Sequence, residues 1–178
     1  MGWWLLILSC IGMPAKEEPL LHVNMPVQMQ TFAIGSPVRK FEWGAPPDVR
    51  ICSSTQMPTY RAQKALQYWR ILGYKFGEVR RDLLSTCMNP RYGEIIITIP
   101  EGNFSNTHMA ATRLYTSNST GKIVKAKIFI LPKNRFKERV LEHEIGHALG
   151  WSHYRQKYHM MHPSWFAGGY DSTGLHVR

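Results

Sequence analysis

The sequence predicts an α+β domain. Three observations carry that expectation: an amphipathic helical stripe after Pro58, a β-branched run over residues 93–99, and two strand-like segments flanking a turn ahead of a second helical stripe. A chain of 178 residues has room for one unit with a sizeable core. Its 44% apolar and 19% charged residues are ordinary for a globular protein, and no repeat or low-complexity tract interrupts it.

The elements follow in order. Val49-Arg50-Ile51-Cys52 alternates apolar side chains with an exposed Arg50 and reads as a first strand, followed by the turn residues Ser53, Ser54 and Thr55. From Pro58, suited to a first helical turn, Ala62, Ala65, Leu66, Trp69 and Leu72 recur every three or four residues, and Gly73 is placed to end the helix. Residues 76–79 read as a weak second strand, residues 93–99 as a strong third, and residues 100–106 as a loop. Residues 109–116 and 122–131 flank Ser117-Asn118-Ser119-Thr120-Gly121 and so form a hairpin. In its second arm Val124, Ala126, Ile128 and Ile130 share one face, which places Lys125 and Lys127 on a solvated one. Asn134 is placed to cap a helix over residues 135–149, with Phe136, Val140 and Ala148 inward.

Residues 1–42 differ in character from residues 43–178. The run Trp3-Trp4-Leu5-Leu6-Ile7-Leu8 is too short for a transmembrane anchor. Its length suits a secretory signal, although no basic leader precedes it, so a secreted or cell-envelope location is expected. Ile7-Leu8-Ser9-Cys10 resembles a bacterial lipobox, which would put a lipid anchor on Cys10; a signal cleaved further on, or an apolar arm packed on the domain, are the alternatives. Six prolines in residues 12–47 mark an extended arm or propeptide, expected to be dispensable for folding up to residue 42. With Cys10 removed or modified, Cys52 and Cys87 remain as an even pair, which suits one disulfide; two buried thiols are the other reading. The formal charge of +10 is spread along the chain without a zinc finger, helix-turn-helix or aromatic RNA-binding signature, so no specific nucleic-acid partner is expected.

The chemistry concentrates in His143-Glu144-Ile145-Gly146-His147-Ala148-Leu149-Gly150-Trp151-Ser152-His153. His143 and His147 are one helical turn apart, about 6 Å along the axis, so both imidazoles leave the same face and can grip one cation. Gly150 can take the left-handed conformation that swings the chain back and brings in His153 as third ligand. Imidazole suits zinc, and a catalytic zinc takes three protein ligands with one position left to water. Glu144 follows the first ligand, where its carboxylate can accept a proton from that water.

This pattern resembles the metzincin clan of zinc peptidases, and most nearly its matrixin-like domains. His159-Met160-Met161-His162-Pro163 looks like the Met-turn, with Met161 the candidate methionine because it stands eight residues after His153 and is followed by one residue and a proline. The resemblance covers residues 43–163. It implies a twisted mixed sheet packed on two main helices, with a zinc cleft. It also implies a zinc-dependent endopeptidase with one catalytic Zn2+ ion on His143, His147 and His153, Glu144 as general base, a protein or peptide substrate, and a monomer. Residues 110–115 match the family's substrate-holding edge strand, which makes Ala110, Ala111 and Thr112 candidate substrate contacts. Residues 162–165 would line the pocket for the side chain after the scissile bond, which adds His162 and Pro163.

There are departures. Trp151 replaces an aliphatic residue usual in matrixins, Tyr154 leaves the subfamily open, and Pro163 stands where astacin-like enzymes place a tyrosine ligand. No cysteine switch or acidic calcium loop is evident, and the long C-terminal helix is expected to be absent or reduced. His22, His108, His159, His162 and His176 are read as solvated or structural, while Asn103-Phe104-Ser105 and Asn118-Ser119-Thr120 match a glycosylation pattern common by chance. Two rivals remain: a non-proteolytic zinc module, disfavoured by the presence of Glu144, and a zinc hydrolase of cell-wall peptides, supported only by positive charge.

Overall fold

The computed structural model describes residues 35–83, 87–101 and 108–177, together with the backbone of Trp4–Ile7. Cys10, His22 and Asn103-Phe104-Ser105 lie outside the described residues, as does most of the loop expected at 100–106. The elements are β1 (Trp4–Ile7), β2 (Asp48–Cys52), α1 (Thr59–Ile71), β3 (Val79–Asp82), β4 (Glu94–Thr98), β5 (Ala110–Thr116), β6 (Ile123–Ile130) and α2 (Val140–Ala148).

The strands form one mixed sheet in the order β1-β5-β6-β4-β2-β3. β6, β4, β2 and β3 run parallel, whereas β5 is antiparallel to both β6 and β1. Period-two alternation sends Val49, Ile51, Ile95, Ile97, Ala126, Ile128 and Ile130 into one core with Ala62, Leu66 and Trp69 of α1 and Val140, Leu141, Ile145 and Ala148 of α2. No helix among the described residues is long and apolar enough to cross a membrane.

Two polar anchors fix α2 against α1. Arg61 donates from Nη1 and Nη2 to the two carboxylate oxygens of Glu142, each at 2.8 Å, and Trp69 Nε1 donates to the Glu142 carbonyl at 2.8 Å. Arg61, Ala65 and Trp69 are spaced four apart, so the arginine sits on the buried stripe of α1. A bidentate arginine–carboxylate pair suits burial because both partners are paired and geometrically matched.

The other face of the sheet is also covered. Cys52 is bonded to Cys87, Arg50 Nη2 donates to Asn89 O at 3.1 Å, and Lys127 Nζ donates to Met88 O. The segment 87–89 is thereby pinned across β2 and β6. This corrects the expectations for Arg50 and Lys127, which are buried rather than exposed, Arg50 paired with Glu94 and Lys127 with Glu101. Alternation identifies their face correctly; the strap that covers that face is a tertiary feature.

Two element boundaries also differ from those the sequence predicts. The second strand begins at Val79, because its register starts at Val49↔Val79, while Gly77 N donates to Pro47 O and Glu78 N to Asp48 Oδ1. The second helix begins at Val140 instead of residue 135. Arg139 takes a left-handed φ of 65°, residues 132–134 form a 3-10 turn, and the Asn134 side chain donates to Met109 O at 2.9 Å rather than capping a helix. Trp165 Nε1 donates to Glu138 O and Arg139 Nη2 donates to Trp165 O, both at 2.9 Å, so contacts from a distant loop hold the non-helical backbone. Phe136 is consequently half exposed.

Candidate metal centre

Every residue of α2 is buried, and the helix carries His143, Glu144 and His147. At its end Gly150 has φ 97°, Gly150 N donates to His147 O at 2.9 Å and Trp151 N to Gly146 O at 3.0 Å. These paired bonds form a Schellman stop, which satisfies the last carbonyls and reverses the chain. A side chain at 150 would run into the main chain of Phe41. Residues 37–43 are built around that stop: Lys40 N donates to Gly150 O at 2.9 Å, Ser152 N to Val38 O at 3.0 Å, and Trp43 Nε1 to Ala148 O at 2.8 Å. The stretch up to residue 42, assigned to the arm by its proline density, therefore contributes contacts to the end of α2.

The reversal brings His153 to the two helical histidines. One nitrogen from each of His143, His147 and His153 lies within 4.8 Å of the others, and His147 Nε2 is 3.1 Å from His153 Nε2. The outer nitrogens orient the rings. His143 Nδ1 lies 2.7 Å from Met160 O, and His147 Nδ1 lies 2.7 Å from Trp151 O. A carbonyl can only accept, so both Nδ1 atoms carry the proton and both Nε2 atoms present a lone pair inward. His143 Nε2 is buried with no hydrogen-bond partner among the described residues. A buried acceptor without a donor is costly, and a cation is the partner that suits it.

Electrostatics keep these rings neutral. Burial, then the neighbouring His153, lowers the His143 pKa to about 3. Burial and the two other imidazoles hold His147 well below its ordinary value, and burial together with His162 and Arg155 lowers His153 to about 4. Neutral imidazole is the metal-ligating form, so the donor set fits a borderline cation such as zinc.

Met161 is fully buried, and a side-chain carbon at Gly146 would strike its sulfur and the Trp69 ring. Its turn is braced by His159, whose structural role is specific. His159 is buried, accepts from Met161 N at Nδ1 (3.1 Å) and donates from Nε2 to Thr173 O (3.1 Å). The only local signal for this brace is a histidine standing two residues before the methionine. His162 accepts from Ser164 N at 3.0 Å, and Pro163 follows it, both half-buried.

Ala110, Ala111 and Thr112 begin β5 and are buried. The Thr112 hydroxyl is turned to α2: Oγ1 donates to Glu144 Oε2 at 2.7 Å and lies 3.1 Å from Glu144 O. Along the outer edge of β5, β1 is paired antiparallel, with Ile7 opposite Thr112 and Trp4 opposite Tyr115. Cys52 and Cys87 have Cα atoms 5.5 Å apart and form a disulfide.

Comparisons with protein-family models, with curated proteins and with solved structures find no match to this chain.

Proposed function

We propose that the protein is a zinc-dependent endopeptidase of the metzincin type, closest to the matrixin-like domains. The observation that carries this reading is the convergence of three imidazoles, two of them pinned to carbonyls by their outer nitrogens, on a helix that also carries a buried glutamate. His143, His147 and His153 would hold one Zn2+ ion, which when bound supplies a Lewis acid to water and to the scissile carbonyl. Glu144 accepts the proton of the attacking water and delivers it to the leaving amine. Met161 is buried against α2 at Gly146, the helix that carries two of the histidines. A purely structural zinc takes four protein ligands and needs no base, so the combination of three histidines with Glu144 favours catalysis over a stabilising role.

Substrate would be an extended peptide held along β5, with residues 162–165 beside the side chain that follows the cleaved bond. Digestion of an unbiased peptide library, read by mass spectrometry beside a zinc determination, tests the reading. Cleavage at internal bonds, lost with chelator and restored with zinc, is the expected result. A zinc-loaded protein that cleaves nothing would leave the stabilising role instead.

A further inference from the structure

The inward face of β5 is Ala110, Thr112 and Leu114, with relative exposures of 0%, 0% and 1%. Ala110 and Leu114 belong to the hydrophobic core. Thr112 interrupts this apolar stripe with a hydroxyl, where valine would match its shape and suit the strand equally well. A buried hydroxyl is costly unless it is bonded, so its partner indicates why it stands there. That partner is Glu144, through a 2.7 Å bond to Oε2. The main-chain oxygen of the same residue is also within reach at 3.1 Å, but a hydroxyl has a single proton and the shorter, charge-assisted bond is the stronger.

We propose that Thr112 is a positioning residue for the Glu144 carboxylate, acting from β5 across to α2. The proposal rests on Glu144 being the general base. A glutamate side chain has three rotatable bonds, and a base must sit within hydrogen-bond reach of the proton it takes. Tethering one oxygen to a strand removes that freedom and fixes where the carboxylate points. Thr112 is itself held from both sides, by Ile128 of β6 and Ile7 of β1 in the strand register, so the tether is attached to a rigid element.

The test compares Thr112→Val, Thr112→Ala and Thr112→Ser with the wild type in the full chain, measuring bound zinc, kcat and KM on a peptide cleaved by the wild type. Thr112→Val should keep about one zinc and its KM while kcat falls by about ten- to a hundredfold, the scale of one hydrogen bond to a charged group. Thr112→Ser should recover most of that loss, because it restores the hydroxyl without the methyl. In the Glu144→Gln background, Thr112→Val should cause little further loss, since the group it positions is no longer a base. Unchanged kcat in Thr112→Val would overturn the proposal while leaving the peptidase reading intact, as would a Ser variant no better than Val. Should Val fail to fold, the ratio of kcat between Ser and Ala decides in its place: a Ser variant no faster than Ala overturns the proposal. A wild type that binds zinc and cleaves no peptide would instead overturn the underlying reading.

Discussion

His147 and His153 bring their Nε2 atoms within 3.1 Å of each other although they stand six positions apart in the chain. Glu144→Gln and His147→Ala should therefore fail differently. Replacing Glu144 by its amide leaves all three imidazoles, so zinc stays near one equivalent while cleavage falls by about 10²- to 10⁴-fold, the range for lost general-base catalysis. His147→Ala leaves two imidazoles, and zinc should pass readily to a chelator with an earlier melt. Metal analysis beside peptide kinetics decides; near-normal cleavage by Glu144→Gln would end the proposed mechanism.

Acid should destabilise the metal-free protein well above the carboxylate range. Burial first, with neighbouring imidazoles, holds the folded-state pKa of His143 at about 3, that of His153 at about 4 and that of His147 below its ordinary value. The unfolded rings titrate near 6.5, so as pH falls through that value the unfolded chain takes up protons that the folded one refuses. The stability is present above about pH 6.5 and is lost as pH drops. Each ring contributes at most about 1.4 kcal/mol per pH unit. Urea midpoints with chelator at pH 7, 6 and 5 should decline in that order, and a flat series would count against neutral, buried rings.

Gly146→Ala places a carbon against the Met161 sulfur and the Trp69 ring. Overpacking of this kind costs about 1–3 kcal/mol. Because α2 carries two of the proposed ligands, the variant should lose zinc affinity along with stability. Thermal melts with and without chelator would show whether the two losses are coupled; a variant as stable as wild type would contradict the packing described here.

Removing residues 1–34 takes away β1 and opens the outer edge of β5 from Thr112 to Tyr115. If substrate adds to that edge, the truncated protein should cleave peptides with a lower KM. Extending the deletion through Trp43 should behave otherwise. It removes the bonds from Lys40 to Gly150, from Ser152 to Val38 and from Trp43 to Ala148. At about 1 kcal/mol each this lowers the melting temperature by roughly 10 °C. Equal melting temperatures for the two truncations would refute the anchoring of α2 by residues 37–43, and an unchanged KM would show that β1 does not compete with substrate.

Local periodicity and spacing are enough to place β2, α1, β4 and the β5–β6 hairpin, because each carries its own pattern: the stripe Ala62, Ala65, Leu66, Trp69, the β-branched run Ile95, Ile96, Ile97, and the turn ending at Gly121. The grouping of His143, His147 and His153 is legible for the same reason, since four residues make a helical turn and Gly150 permits the reversal. What the chain does not disclose by pattern are features made by residues far apart. The helix expected from 135 starts at Val140 because Trp165 holds Glu138 and Arg139 in a non-helical path. Lys127 is buried because segment 87–89 crosses its face, and β1 lies on β5 through a pairing over more than a hundred residues. Thr112 reads locally as an ordinary strand residue; only the packing of β5 on α2 puts its hydroxyl on Glu144. Secondary-structure signals decay over a few residues, whereas burial and hydrogen-bond partners are assigned by whichever distant segment the fold brings alongside.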